Sequence, residues 1–362
     1  MPIPKLPDAA LDSLIQEFGI KVDATKPVAL RKTRLPRDIR FFEVEVSSPQ
    51  VYVIDTSMAR KIACHPHVVG DELEKLALAA AEQALPAILE LSDVEGSSDH
   101  AVVFEQILRA APGYQLHQAA NRLIPDSFST VYTRPRYTHT SYRDHDGIIQ
   151  RELNVVFEDF SELPSGRDVV LIVQDTVASG RSAEVSLEQT IKHCEDVGSK
   201  IKKWILYGFI SLEGLKRLDS QARSYGIPLT AFAMGNLTAL CANKYDMPLY
   251  GIDEWSWRRD RSIHKLGGIV DRTALEEYVQ ELVPGSDQPG DWSSRQTKLF
   301  SGTGYENGNI LGHLENSVRL INGLLETETF NDWQKRLAFD ELKALEQELE
   351  SARRREERWI SG

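Results

Sequence analysis

The sequence predicts an α/β protein built on a doubly wound, mainly parallel sheet, with N-terminal and C-terminal helical additions. In residues 101–262, short apolar runs alternate with amphipathic helical patterns, which is typical of such a sheet. The 362 residues, 41% hydrophobic and 27% charged, suit a globular α/β domain with additions. A ligand of this fold is expected at the carboxyl ends of the strands.

Residues 1–100 are predicted to form a strand pair and a helical cover. The alternating stretch FFEVEVSSPQVYVID at 41–55 indicates two strands or a hairpin. The stretch DELEKLALAAAEQALPAILEL at 71–91 has helical apolar spacing and ends at the turn-rich SDVEGSSD. This region is expected to cover the core or to contribute a dimer contact.

Residues 101–262 are predicted to be the core. The expected strands are AVVFEQIL, FSTVYT, VVLIV, KWILYGFI and PLTAFA. Helical patterns follow through AANRL, from Ala183 to Asp196, and over LEGLKRLDSQARSYG.

Residues 263–362 are predicted to be a loop-rich and helical extension. The segment SDQPGDWSSRQTKLFSGTGYENGN at 286–309 is rich in turn formers. Leu342, Leu345 and Leu349 then follow helical spacing with charged residues between them, which favours a structural or oligomerising helix.

Charge and cysteine content limit the classes of partner and compartment. The formal charge of −12 opposes a broad nucleic-acid surface, so nucleic acid is not an expected partner. No run of about 18 apolar residues and no secretory signal pattern is present, so no membrane association and a cytoplasmic location are expected. Cys64, Cys194 and Cys241 form no CxxC pair and are expected to be buried thiols.

The stretch VVLIVQDTVASGRSAEVSL at 169–187 is the main candidate for chemistry. An apolar strand delivers Asp175 to the sheet edge, and the small-residue loop from Ala178 to Ser182 leads into a helix. Backbone amides of such a loop and the helix N-terminus can bind a phosphate. The alternative is an ordinary strand-to-helix turn that Asp175 caps. Neither GxxxxGK[ST] nor a GxGxxG after a strand is present, which argues against those two phosphate motifs.

With its neighbours, this stretch resembles the type I phosphoribosyltransferase family and is most similar to the uracil phosphoribosyltransferase branch. Four ordered blocks beside the cradle carry the resemblance, which covers roughly 101–262. They are QILRAAPGYQLHQAANRLIP at 106–125, VYTRPRYTHTSYRDHDG at 131–147, WILYGFISLEGLKRL at 204–218 and LTAFAMGNLTALCANKYDMPLYGIDEWSWRRDR at 229–261.

The resemblance implies transfer of a 5-phosphoribosyl group from phosphoribosyl pyrophosphate to a uracil-like or other heterocyclic acceptor, with release of pyrophosphate. It implies Mg²⁺ held mainly by substrate, with Asp175 as its protein contact, and a homo-oligomer. Asp175 and Arg109 would be catalytic. The 5′-phosphate would contact the loop, and pyrophosphate would contact arginines of a mobile arm. The implied ligand contacts are Ala178, Ser179, Gly180, Arg181, Ser182, Arg134, Arg136 and Arg143 for phosphoribosyl pyrophosphate, and Tyr250, Gly251, Asp253 and Glu254 for the acceptor.

Several departures leave alternatives open. Gln174 stands where the family commonly has an acid, Arg181 replaces a loop glycine, and the base motif gains two tryptophans. A non-catalytic regulatory protein that binds phosphoribosyl pyrophosphate or a nucleotide is therefore a second hypothesis, and an unrelated phosphate-binding α/β protein is a third.

Individual residues also have structural alternatives. Arg109 could be a surface helix residue, and Asp253 could cap a helix rather than bind a base. His65 and His67 have spacing suitable for a metal, but no third ligand is visible in the sequence, so solvated turn residues are expected.

Overall fold

The computed structural model describes residues 6–32, 39–46, 48–94, 100–125, 127–137 and 153–361, with side chains up to residue 356. Arg143 lies outside the described residues, as does the rest of the predicted arm from residue 138 to residue 147.

The described residues contain one large mixed sheet of nine strands. In chain order these are β1 (Thr25–Pro27), β2 (Arg40–Val44), β3 (Gln50–Asp55), β4 (His100–Ile107), β5 (Ser129–Tyr137), β6 (Leu153–Asp159), β7 (Asp168–Gln174), β8 (Lys200–Ser211) and β9 (Leu229–Thr238). Their order across the sheet is β1-β2-β3-β9-β8-β7-β4-β5-β6.

The six inner strands, from β3 to β5 in sheet order, run parallel, and the outer strands pair antiparallel. This arrangement confirms the predicted mainly parallel sheet. The predicted hairpin at 41–55 forms β2 and β3, and β3 pairs in parallel with β9. The N-terminal segment and the central block therefore share one sheet.

Helices cover both faces of the sheet. They are α1 (Asp8–Phe18), α2 (Ser57–Cys64), α3 (Gly70–Leu91), α4 (Leu116–Leu123), α5 (Arg181–Asp196), α6 (Leu212–Ser224), α7 (Glu254–Asp260), α8 (Arg272–Tyr278), α9 (Ile310–Leu325) and α10 (Asp332–Ser361), with a 3₁₀ turn at Ala111–Tyr114. One face packs against α5 and α6, and the other against α2, α3, α4 and the C-terminal helices. This two-sided cover explains why the inner strands are apolar runs rather than alternating patterns.

The C-terminal extension packs on the chain's own core. Two small antiparallel sheets, β10 (Tyr250–Ile252) with β11 (Lys265–Gly267) and the hairpin β12 (Lys298–Phe300) with β13 (Tyr305–Asn307), precede α9 and α10. Leu342 and Leu345 of α10 are buried in the core, and Leu349 packs against it. The predicted apolar face of this helix is therefore covered within the chain itself.

The cysteines and the apolar content of the helices are both seen in the structure. Cys64, Cys194 and Cys241 are free and buried, as predicted. Among the helices within the described residues, none combines the length and the apolar character that a membrane crossing requires.

Candidate functional site

A cleft of about 970 Å³ opens at the carboxyl ends of β4 and β7. This is the edge at which an open α/β sheet is expected to bind its ligand. The cleft is lined by residues 107–110, 134–137, 175–183, 242–245 and 289–293, together with Glu213, Arg217 and Glu306. It therefore brings together the predicted cradle, Arg109, Arg134 and Arg136.

The predicted phosphate cradle is the turn between β7 and α5. Gly180 precedes the first helical residue in the left-handed conformation, with φ 78°, and Arg181 begins α5. The positive φ therefore falls on a glycine rather than on Arg181, so the arginine carries no strain. The hydroxyl of Ser211 donates to the Ala178 carbonyl at 2.6 Å and ties the loop to the end of β8. All five loop residues, Ala178 to Ser182, line the cleft.

The start of α5 can attract an anion. The first amides of an α-helix have no partner within the helix, and the aligned peptide dipoles add partial positive charge at that end. Helix α5 has 16 residues, so this polarity is fully developed. The small side chains before it leave room for an anion to approach the backbone.

Asp175 lies at the floor of the cleft, directly after β7. Its backbone N–H donates to the Tyr207 carbonyl at 3.0 Å, which keeps this residue in register with the sheet. The two strands can approach here because residue 208 is glycine, since a Cβ there would lie 2.0 Å from the Asp175 carbonyl oxygen. Burial raises the pKa of Asp175 to about 7, while a hydrogen bond from the Thr176 backbone opposes this shift and the charge of Glu105 adds to it. A cation or hydroxyl donor in the cleft would stabilise the ionised carboxylate.

Gln174, one residue earlier, points away from the cleft. Its side-chain oxygen accepts hydrogen bonds from the backbone N–H groups of Leu116, at 2.7 Å, and His117, at 3.4 Å. Its amide donates to Gln106 at 2.8 Å. Gln174 therefore positions the start of α4 from inside the protein and does not line the cleft.

Arg109 and Arg134 enter the cleft from neighbouring strands. Arg109 lies in the loop after β4 rather than on a surface helix, and Arg134 lies within β5. Both guanidinium groups pair with the carboxylate of Glu306, on β13. Arg134 also donates to the Ser301 carbonyl at 2.9 Å. Two cationic groups are thus held together at the end of the cleft where the hairpin β12–β13 lies.

The four residues predicted to bind the acceptor do not line the cleft. Tyr250 is fully buried and packs against Phe18, with ring centroids 5.6 Å apart. Gly251 is engaged in the β10–β11 ladder. Glu254, in the first turn of α7, pairs with Arg258 one turn later.

Asp253 caps a helix, which is the structural alternative to base binding that the sequence left open. Its carboxylate accepts from the Ser256 backbone N–H at 3.2 Å, so it caps α7. It also accepts from the Ala242 backbone N–H at 2.8 Å. Asp253 therefore anchors the loop 242–245, and it is this loop that forms a wall of the cleft.

Sequence reasoning missed two parts of the cleft, both outside the resembling block. One is Glu306, and the other is the wall at 289–293, which includes Trp292. Trp292 stacks on Tyr114 with centroids 4.3 Å apart, which fixes this wall against the 3₁₀ turn after β4. The only sequence signal for this wall was a turn-rich composition, which does not reveal what the turn packs against.

Comparisons with known proteins give distant similarities of structure. Neither a family model nor a curated protein sequence matches this chain. Adenine phosphoribosyltransferase from Leishmania donovani is 11% identical over 55% of this chain and 89% of that chain, with a TM-score of 0.34. Adenine phosphoribosyltransferase from Thermoanaerobacter pseudethanolicus is 16% identical over 44% of this chain and 85% of that chain, with a TM-score of 0.29.

A third similar structure is orotate phosphoribosyltransferase from Mycobacterium tuberculosis H37Rv, in complex with 5-phospho-alpha-D-ribosyl 1-diphosphate. It is 16% identical over 49% of this chain and 89% of that chain, with a TM-score of 0.29. These neighbours are phosphoribosyltransferases.

Proposed function

We propose that this protein binds phosphoribosyl pyrophosphate in the cleft and transfers its 5-phosphoribosyl group to a nitrogenous heterocycle, releasing pyrophosphate. The observation that carries the proposal is a single cleft that contains Asp175, the loop from Ala178 to Ser182, and the pair Arg109 and Arg134. Phosphoribosyl pyrophosphate has two anionic ends joined by a hydroxylated sugar. The cleft offers two positively polarised regions with a carboxylate in the same cavity.

The roles follow from the chemistry of each group. Backbone amides at the start of α5 would hold the 5′-phosphate, and the Asp175 carboxylate would accept hydrogen bonds from ribose hydroxyls. Arg109 and Arg134, with Arg136 beside them, would neutralise the leaving pyrophosphate. Because the sugar becomes cation-like as the bond to pyrophosphate breaks, holding the two ends and stabilising the departing charge would supply most of the catalysis.

The cleft also suits Mg²⁺. A buried carboxylate such as Asp175 is a hard oxygen ligand, and Mg²⁺ commonly combines one or two carboxylates with substrate phosphate oxygens. Asp175 would hold the ion, which would supply charge neutralisation on the pyrophosphate.

Calorimetry of phosphoribosyl pyrophosphate with the intact protein and with Asp175→Ala, with and without Mg²⁺, tests the proposal. We expect saturable, Mg²⁺-dependent binding that weakens at least tenfold in the variant, equivalent to about 1.4 kcal/mol. Asp168→Ala is the matched control, because Asp168 lies at the opposite end of the same strand. Absence of binding by folded protein, or equal binding by both aspartate variants, would contradict the proposal.

A second candidate is a binding protein without turnover. The observation that favours it is the placement of Tyr250, Gly251, Asp253 and Glu254 away from the cleft, which leaves 242–245 and 289–293 as the available acceptor walls. Release of pyrophosphate on addition of one of a panel of heterocycles, uracil among them, would identify an enzyme. Binding of phosphoribosyl pyrophosphate without release for any acceptor would favour the regulatory function.

Replacing Glu306 with glutamine is expected to tighten binding of phosphoribosyl pyrophosphate by about tenfold. The Glu306 carboxylate pairs with both Arg109 and Arg134, so an incoming pyrophosphate has to compete with it. Glutamine keeps the shape and removes the negative charge. The control is Glu82→Gln, which removes an exposed carboxylate paired with Arg122 at 2.7 Å and is remote from the cleft lining. Unchanged or weaker binding by Glu306→Gln in the same calorimetric assay would show that the carboxylate does not compete with the ligand.

A further inference from the structure

His65 and His67 converge on one carboxylate that sequence reasoning did not identify. The Nδ1 atom of His65 lies 2.9 Å from Glu341 Oε2, and the Nδ1 atom of His67 lies 2.6 Å from Glu341 Oε1. One ligand atom from each of the three residues lies within 4.8 Å of the other two. The two histidines follow α2, whereas Glu341 comes from α10, about 275 residues later in the chain.

The segment that carries the histidines is held in place by buried groups. The Arg295 guanidinium donates to the carbonyl of His65 at 3.1 Å and to that of Val68 at 2.8 Å. The Nε2 atom of His313 lies 2.8 Å from the Pro66 carbonyl oxygen. Both supporting side chains are 0–1% exposed. The loop is therefore fixed on both sides of Pro66, and the two imidazoles are oriented by the fold rather than by solvent.

The burial of the three side chains suits a bound ion. Glu341 is 5% exposed, whereas His65 and His67 are each about a quarter exposed. The buried carboxylate gives a fixed oxygen ligand, and the partly open imidazoles leave a path for an ion and for water. Glu281 lies on the far side of His65, with its carboxylate 3.7 Å from Nε2. A carboxylate behind a ligating histidine commonly fixes the ring and makes it a stronger ligand.

We propose that His65, His67 and Glu341 form a binding site for a divalent transition-metal ion of the Zn²⁺ type, with water at the remaining position. Two imidazole nitrogens and one carboxylate oxygen are a ligand set that Zn²⁺ uses in proteins, with ligand distances of about 2.0–2.2 Å. The ion would bind between the imidazoles and the carboxylate and replace their direct contacts with one another. None of the three residues lines the cleft, so the proposal does not depend on the proposed function.

A metal at this site would join α10 to the loop after α2. These elements are about 275 residues apart in the sequence, and the ion would connect them only in the folded protein. Because an ion that binds the folded state alone stabilises it by mass action, added Zn²⁺ is expected to raise the thermal midpoint. Mg²⁺, which prefers oxygen ligands, is expected to leave the midpoint unchanged at the same concentration.

The test uses the full chain after treatment with a chelator. Titration with Zn²⁺ is expected to show one equivalent bound, with a dissociation constant on the order of 1 μM or tighter. Titration with Co²⁺ is expected to produce the visible ligand-field absorption of a four- or five-coordinate site. His67→Ala and Glu341→Gln are each expected to weaken Zn²⁺ binding at least tenfold.

The control variant is His193→Ala. His193 pairs with Glu158 at 3.2 Å, and within the described ranges no second histidine joins this pair, so the substitution removes a simple histidine–carboxylate contact. This variant is expected to bind Zn²⁺ as the parent does. The Co²⁺ spectrum of the parent does not depend on how any variant folds. A parent protein that binds no Zn²⁺ and gives no Co²⁺ absorption would overturn the proposal, as would folded His67→Ala and Glu341→Gln variants with unchanged affinity.

Discussion

Replacing Arg295 with methionine is expected to lower the free energy of unfolding by about 4 kcal/mol. Arg295 is fully buried, and its guanidinium donates to backbone carbonyls of Ile62, His65, Val68 and Pro289. Methionine has a similar length but no donor, so these buried acceptors would lose their partner. An unsatisfied buried polar group costs roughly 1–3 kcal/mol, and in this variant several buried carbonyl groups lose their donor together.

Two further variants test this explanation, one that keeps the charge at position 295 and one that removes an exposed arginine elsewhere. Arg295→Lys keeps the charge but cannot reproduce the planar fork, so an intermediate loss is expected. Arg353→Met removes an exposed arginine paired with Glu315 at 2.8 Å, and a change below about 1 kcal/mol is expected. Urea unfolding of the three variants and the parent gives the measurement. A loss below 1 kcal/mol for Arg295→Met would mean that the carbonyls find other partners.

Arg295 also connects the two sites that have been proposed. It joins the loop that carries His65 to Pro289, which lies in the wall of the cleft. If the metal site forms, Zn²⁺ affinity should fall in Arg295→Met even under conditions where the variant remains folded, because the imidazoles lose their support.

The sheet could be predicted from the sequence because its signals are local. The apolar runs of β7 and β8 and the helical spacing of α3 and α5 are each contained in one segment. The turn between β7 and α5 could be predicted for the same reason, since Asp175, Gly180 and Arg181 are neighbours in the chain. The parallel sheet then places the loop after β4, which carries Arg109, at the same edge.

The remaining features depend on contacts between distant segments, which one sequence does not reveal. Glu306 reaches Arg109 across about 197 residues. Glu341 reaches His67 across about 274 residues, which is why the histidine pair seemed to lack a third ligand. Tyr250 illustrates the opposite case, since this residue of a resembling motif is buried in the core and packs against Phe18 of α1.

Replacing Glu105 with glutamine is expected to stabilise the protein above pH 7, although it removes a hydrogen-bonded acid. Glu105 lies fully buried within β4, and the Thr133 hydroxyl donates to it at 2.9 Å. Burial raises its pKa from 4.5 to about 7, against the opposing hydrogen bonds from the Thr133 and Thr190 hydroxyls. Between about pH 4.5 and 7 the folded state therefore keeps a proton that the unfolded state has lost. The free energy of unfolding falls as pH rises through this window and levels off above it.

Glutamine has nearly the shape of the protonated acid and no charge to bury, so this contribution disappears in the variant. At pH 5 the two proteins are expected to have similar stability, whereas at pH 8 the variant should be more stable by up to about 3 kcal/mol. Asp175, whose pKa is also raised to about 7, titrates in both proteins, and its pKa shift is expected to be smaller in the variant because the charge of Glu105 adds to it in the parent.

Urea midpoints at pH 5, 6, 7 and 8 provide the measurement for Glu105→Gln. The control is Glu195→Gln, which removes an exposed carboxylate from α5 and should change the free energy of unfolding by less than about 0.5 kcal/mol at every pH. A difference between variant and parent that grows with pH would identify the buried carboxylate as the source. A constant difference across the range would mean that Glu105 titrates alike in the folded and unfolded chain, and a loss of stability at pH 8 would mean that its charge is stabilised in the fold.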